Sequence, residues 1–256
     1  MATAPGGQLS LAAGHVLAAS SYGPSPLWYT ARATGVVALI LLTITVALGI
    51  AGTARLSSEL LPGIVRSGLH RNVSLLAVAF IVVHVLSSVL DPYAGIKLTS
   101  AIVPFSSAYR PFWLSLGAIA FDMLFALVLT SLLRTRIPYR AWSAVHWLGY
   151  ACWPIALWHG LGTGTDSRLS WVLVLDGACA LVVAGAVGVR LNLAGSSLTR
   201  TAGLASTAAF VVATIVFVAV GPLQPGWARR AGTPASMLGS AHPASDRAPG
   251  RTGAAR

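Results

Sequence analysis

Long apolar runs separated by short arginine-bearing clusters set the pattern of this chain. No Asp, Glu, Lys or Arg falls between Arg32 and Arg55, nor between Arg71 and Asp91. Asp122 is the lone such residue from Pro111 to Leu133, and Asp176 the lone one from Leu169 to Val189. The windows 141–165 and 201–228 hold none. Each window carries the roughly 20 apolar residues that an α-helix needs to cross a bilayer core. Backbone groups in lipid must pair within their own segment, so the runs are predicted to be helices. The expectation is an all-α, polytopic membrane helix bundle of about six transmembrane helices, at 34–53, 70–90, 112–133, 141–161, 169–189 and 202–221. Residues 1–33 are predicted to form an extracytoplasmic N-terminal segment and 34–221 the bundle. The tail, 222–256, is rich in Pro, Gly, Ala, Ser and Arg and is predicted to be disordered.

Composition narrows the class. The chain is 55% hydrophobic and 9% charged, where a soluble domain carries about 25% charged residues. That excludes an ordinary soluble enzyme, a disordered chain and a disulfide scaffold. The net charge of +11 would suit nucleic acid, but the cations lie between apolar runs. They read as loops and tails of a protein in a lipid bilayer, with no nucleic-acid partner. Both cysteines, Cys152 and Cys179, sit inside apolar runs and make no disulfide framework, and no C-x-x-C-H occurs. No basic residue precedes Arg32, and Gly14 and His15 interrupt the apolar stretch from Leu9, so no signal-peptide pattern is expected at the N-terminus.

Orientation follows from Lys and Arg in short loops. One side receives Arg55, Arg66, Arg71, Arg134, Arg136, Arg140, Arg190 and Arg200; the other receives Arg32, Lys97, Arg110 and Arg168, plus the tail. The first side is expected to be cytoplasmic, which makes this a multi-pass cell-membrane protein with both termini extracytoplasmic.

Four of the six histidines fall in two spans. His70 and His84 are 14 residues apart on the second, and His146 and His159 are 13 apart on the fourth. At about 1.5 Å per residue each pair spans roughly 20 Å of helix. Both helices run from inside to outside, so His70 can face His146 near the cytoplasmic side and His84 can face His159 near the outer side. Ionisable groups inside spans point to function, and facing imidazoles can bind metal, including haem iron from both sides. A single such histidine can equally be a hydrogen-bonded helix contact. Fourteen residues are close to four turns, whereas 13 complete only about 3.6. Pro154 is expected to kink or rephase the fourth helix and bring His159 round.

A His-x13-His helix and a His-x12-His helix separated by one further span resemble the ferric reductase-like transmembrane domain. That family includes ferric reductases, NADPH oxidases and the haem subunit of the bacterial methionine sulfoxide reductase system. The strings L-H-R-N-V-S-L-L at 69–76, T-S-L-L-R at 130–134 and H-G-L-G-T-G-T-D at 159–166 look like those of stand-alone actinobacterial members. The resemblance covers residues 34–190 and implies two haem b groups stacked across the membrane. His70 and His146 would hold the inner one, His84 and His159 the outer, with electrons passing between the faces. Haem propionates need cations: Arg66, Arg71 and Arg134 are candidates for the inner haem, Arg110 or Arg168 for the outer. Unlike NADPH oxidases, the chain shows no G-x-G-x-x-G in a dinucleotide-binding context. The resemblance therefore implies a separate electron donor, a flavoprotein or quinol, and an extracytoplasmic acceptor: ferric iron, oxygen or a redox partner protein.

Other readings stay open on residues alone. Asp122 and Asp176 fit a proton relay or an interhelical hydrogen bond. Trp142, Trp147, Trp153 and Trp158 fit contact with a macrocycle or ordinary packing and interface belts. Cys152 and Cys179 read as packing residues. The competing functions are a non-redox membrane transporter whose histidines bind protons or metal, and a haem-binding sensor or assembly subunit.

Overall fold

The computed structural model describes residues 25–53, 62–193 and 196–238. His15, His242 and Arg55 lie outside them. The first helix, α1 (Pro26–Thr53), opens on a Ser-Pro pair. The Ser25 hydroxyl accepts from the Trp28 N–H at 3.2 Å, and Pro26 takes the first helical position, where its missing N–H costs nothing. The helix therefore begins ahead of the expected residue 34 and includes Arg32. α2 (Gly63–Leu90) follows Pro62 and stops before Asp91-Pro92. A short α3 (Leu98–Ile102) leads to α4 (Pro111–Leu132), again with proline in its first turn. The fourth crossing is divided into α5 (Tyr139–His146) and α6 (Leu148–Thr163). α7 (Ser170–Leu193) and α8 (Ser197–Val220) complete the bundle.

Five helices, α1, α2, α4, α7 and α8, are each long and apolar enough to cross a membrane. The divided α5–α6 occupies the fourth apolar window, and no strand occurs among the described residues. The all-α polytopic bundle is as expected. Exposed aliphatic side chains such as Leu75, Val174 and Val220 point outward, as lipid contact requires.

The rephasing of the fourth crossing does not occur where the proline predicts. α6 runs unbroken through Pro154, and the interruption lies at Trp147. There the Tyr150 N–H bonds to the Trp147 carbonyl at 3.1 Å, a three-residue step in place of four. A 3₁₀ step turns the chain faster, about 3.0 residues per turn against 3.6. That adds rotation in the sense that 13 residues lack. The same step eclipses positions three apart, so the Trp147 and Tyr150 rings stack with centroids 5.0 Å apart. Arg190, from the end of α7, lies over both rings, 5.3 and 5.7 Å from their centroids.

α1 is the central pillar, packed against α2, α6 and α7, while α6 packs along α4. The core joins Trp153, Leu157 and Leu161 of α6 to Cys179 of α7, with Leu39, Leu42 and Val46 of α1 around them. The Trp153 indole N–H donates to the Thr43 hydroxyl at 2.9 Å, which satisfies a polar group in this apolar layer. The sixth helix, α8, is attached by aromatic rings: Phe210 stacks on Trp158, and Phe217 stacks on Trp113 with centroids 4.6 Å apart.

Residues 222–238 differ from the disorder expected of the tail. They carry two short helices, α9 (Trp227–Arg230) and α10 (Ala235–Leu238), folded onto the end of the bundle where α4 begins. Trp227 packs on Trp113 and Phe217. The Arg110 N–H donates to the Gly232 carbonyl at 3.0 Å, and the Arg168 guanidinium donates to the carbonyl of Pro222 at 2.9 Å.

Candidate functional site

The four histidines meet in two pairs. His70 and His146 have ring centroids 6.4 Å apart, and His84 and His159 have theirs 6.3 Å apart. The helices that bear them do not pack on one another: α2 lies along α1 and α6 along α4, which leaves a slot between. Two imidazoles bound to one metal ion from opposite sides, with about 2 Å from each nitrogen to the metal, place their ring centres about 6 Å apart. Both pairs have that separation, and they lie 13 to 14 residues apart along their helices, hence at two depths.

Three of the four rings are oriented by a backbone carbonyl. His84 Nδ1 lies 2.6 Å from the Ala31 oxygen, His159 Nδ1 2.9 Å from the Trp113 oxygen, and His70 Nδ1 3.0 Å from the Thr45 oxygen. A carbonyl only accepts, so Nδ1 carries the proton and donates. Nε2 is then the ring's unprotonated nitrogen, the form that binds metal, and the hydrogen bond raises its basicity.

Glycine opens each of these approaches, and sequence reasoning missed it. Four residues after each accepting carbonyl stands Gly35, Gly117 or Gly49. A Cβ on Gly35 would come 3.0 Å from the His84 ring, and one on Gly49 3.3 Å from the His70 ring. A Cβ on Gly117 would overlap the His159 ring. A readable signal existed: Gly35 and Gly49 repeat at the same 14-residue interval as His70 and His84. His146 is the exception. Its Nδ1 is buried without a hydrogen-bond partner, and its ring stacks on Trp142 with centroids 4.7 Å apart.

A cavity of about 280 Å³ surrounds the His84–His159 pair, walled by apolar side chains of α1, α2, α4 and α6. The cation at its mouth is Arg32, another residue that sequence reasoning did not select. Its Nε donates to the Asp166 carboxylate at 2.6 Å, the two form an ion pair, and the guanidinium lies 4.3 Å from the Trp28 ring centre. Ser25 donates to the Asp91 carboxylate at 2.6 Å, which pins the start of α1 to the end of α2 at the same mouth.

Of the arginines selected from sequence, Arg110 and Arg168 hold the tail. Arg110, 2% exposed, takes φ +42° and donates to the Gly162 carbonyl and the Thr233 hydroxyl, both at 2.9 Å. It clamps the tail and the α6 end onto the start of α4, and neither it nor Arg168 lines the cavity. Burial lowers the Arg110 pKa and raises that of neighbouring Tyr109, whose hydroxyl the guanidinium partly offsets. Arg134 lies over the Trp142 ring, 4.9 Å from its centre, so it bears on His146 through that indole. Arg71 is exposed beside His70, and Arg66 lies against Gly52. Asp176 lines the cavity around His84 and His159, whereas Asp122 is exposed on α4. Cys152 donates to the Ala120 carbonyl at 3.4 Å, and Cys179 belongs to the core.

The donor set fits haem. Among the described residues no three or more His, Cys, Asp or Glu side chains gather as a metal site. A bare zinc-like ion asks for more protein ligands than a pair of imidazoles. Haem iron sits in its own ring of nitrogens and takes only axial ligands from the protein. Residues 34–157 match the family described as ferric reductase like transmembrane component, a stretch that holds His70, His84 and His146 and ends just before His159. No curated protein and no solved structure matches the chain. Through this stretch, just under half of the chain, the protein is similar to the ferric reductase-like transmembrane components, whose domains generally bind haem, and the match supports a multi-pass membrane component of electron transfer.

Proposed function

We propose that this chain is a transmembrane di-haem b-type cytochrome that relays electrons from a separate donor to an extracytoplasmic acceptor. The observation that carries the reading is the pair of opposed imidazole couples, 6.4 and 6.3 Å between ring centres, at two depths. His70 and His146 hold the inner haem, and His84 and His159 the outer. Haem iron supplies one-electron chemistry. The four imidazoles would hold that iron; the chain fixes the tautomer of His84, His70 and His159 through Ala31, Thr45 and Trp113 and walls the outer site with apolar side chains. Arg32 is the cation that faces the outer cavity, in the place where a propionate needs one. Arg71, next to His70 in the chain, is the candidate cation for the inner haem.

A reduced-minus-oxidised absorption spectrum of the purified protein tests this. Two b-type haems per chain are expected, and absence of any haem band would leave the transporter reading standing. Dithionite reduces both haems, whereas NADH or NADPH alone does so at no useful rate, because these 256 residues contain no nicotinamide-binding motif. The donor is a flavoprotein or a quinol. The acceptor, whether ferric iron, oxygen or a redox protein, docks between the loop 91–111 and the turn 160–168, which flank His84 and His159. Rapid NADPH-driven haem reduction without an added flavoprotein would overturn the separate donor.

The Arg and Lys distribution supports a cytoplasmic side at the Arg134 end and both termini outside. A reporter active only in the cytoplasm, fused after Val220, is expected to be silent. Strong activity would reverse the orientation.

A further inference from the structure

We infer that Asp176 is a redox-linked proton acceptor: its carboxylate takes up one proton when the haem between His84 and His159 gains an electron, and releases it when that electron leaves. This rests on the di-haem reading above.

Asp176 lines the cavity that surrounds His84 and His159. On α7 it stands four residues after Val172 and three before Cys179, both buried, so the three share the inward face of the helix. His84 lies six residues before the end of α2 at Leu90, and Asp176 six residues after the start of α7 at Ser170. Both are therefore about 9 Å along their helices from the end of the bundle that carries Asp91 and Asp166. The other titratable groups around the cavity are engaged. Asp166 is paired with Arg32, and Asp91 accepts from Ser25. The Tyr109 hydroxyl reaches the Thr163 carbonyl, and the Cys152 thiol the Ala120 carbonyl. His84 and His159 give Nδ1 to carbonyls and keep Nε2 for iron. Asp176 has neither a hydrogen bond nor an ion pair among the described residues. The helices around it offer no free cation. Arg32 is the one charged residue of α1, and Arg200, at its start, that of α8. Cys179 bonds to Thr43, while Tyr150 of α6 and Arg190 of α7 meet at the opposite end.

A carboxyl inside a span ordinarily serves an interhelical hydrogen bond; Asp176 makes none and faces the haem cavity instead. Ionisable groups so placed point to function. Reduction of ferric to ferrous iron adds one negative charge to the cavity. Apolar walls screen that charge poorly, so it disfavours a second negative charge on the carboxylate. One electron passes from the donor to iron, and one proton passes from water at the cavity mouth to an Asp176 oxygen. When the acceptor takes the electron, the proton returns to solvent. By linkage, a proton taken up on reduction makes the potential fall as pH rises. The limit is tenfold in the equilibrium constant per pH unit, about 59 mV for a one-electron couple.

Redox titration of the purified protein, followed by haem absorbance from about pH 5 to about pH 9, is the test. Wild type is expected to titrate in two steps, one of which falls with pH, and His70→Ala, which spares the His84–His159 pair, to retain that step. Asp176→Asn, neutral like the protonated acid, should keep both haems and hold this step at the acid-limit value of wild type at every pH. Asp176→Glu should restore the slope. Asp122→Asn, at a carboxyl outside the cavity, should leave it unchanged. A slope that persists in Asp176→Asn would belong to the haem propionates and overturn the inference, as would two steps flat with pH in wild type. If Asp176→Asn binds no haem at this site, the reduced-minus-oxidised infrared spectrum decides. Wild type must then gain a protonated-carboxyl band on reduction, and Asp176→Glu must shift it. Absence of the band, or a band unmoved in Asp176→Glu, sinks the inference while the di-haem reading survives. Wild-type protein without haem would instead defeat the reading beneath it.

Discussion

Replacing His84 or His159 by alanine is expected to remove one haem per chain, the outer, and replacing His70 or His146 to remove the inner. Alanine is a good helix former, so the helix itself should persist and the loss should be confined to the ligand. Each ring stands alone on its side of its pair, and no third His, Cys, Asp or Glu lies close enough among the described residues to take its place. His70 faces His146 and His84 faces His159, so an iron held between either pair would keep a single protein bond after one change. Haem per protein, measured by extraction, should fall by half in each single variant, and to nothing in His84→Ala/His70→Ala. Full haem content in all four single variants would falsify the ligand assignment.

The bundle was legible because lipid imposes one rule along the whole chain: apolar windows free of charge must be helices. The histidine pairing was legible because depth follows from residue counts along a helix. What could not be read is where the helix departs from ideal. Pro154 is the conspicuous breaker in the sequence, yet its missing N–H is absorbed within α6 and the phase is corrected at Trp147. Nothing local marks Trp147; the Trp147–Tyr150 stack and Arg190, 40 or more residues away, favour the step there. The contacts of the arginines were illegible for a related reason. Charge counts place a cation on a side of the membrane but not in a contact, so nothing in the sequence marked that the Arg110 guanidinium holds the Gly162 carbonyl and the Thr233 hydroxyl. Arg32 was passed over because the first span was started too late to include it.

The glycines give the sharpest remaining test, since they should act in a graded order that the distances set. Glycine inside a helix ordinarily costs about 0.5–1 kcal/mol relative to alanine, so a change to alanine in open space stabilises. Gly177 of α7 is such a position, with nothing near its missing Cβ, and Gly177→Ala should keep both haems and gain slightly in thermal stability. At Gly49 the new Cβ would meet the His70 ring at 3.3 Å, and a shift of a few tenths of an ångström accommodates it. At Gly35 it would meet His84 at 3.0 Å, with less room. At Gly117 it would overlap the His159 ring, so the ring must swing away, break its bond to the Trp113 carbonyl and carry Nε2 off the iron axis. Overpacking of this kind costs about 1–3 kcal/mol, more than the helix gains. Gly117→Ala should therefore lose most of the outer haem and keep the inner, with Gly35→Ala intermediate and Gly49→Ala close to wild type. Haem stoichiometry measured on the four variants decides it: if Gly117→Ala binds both haems as fully as Gly177→Ala, the glycine gaps do not position the histidines.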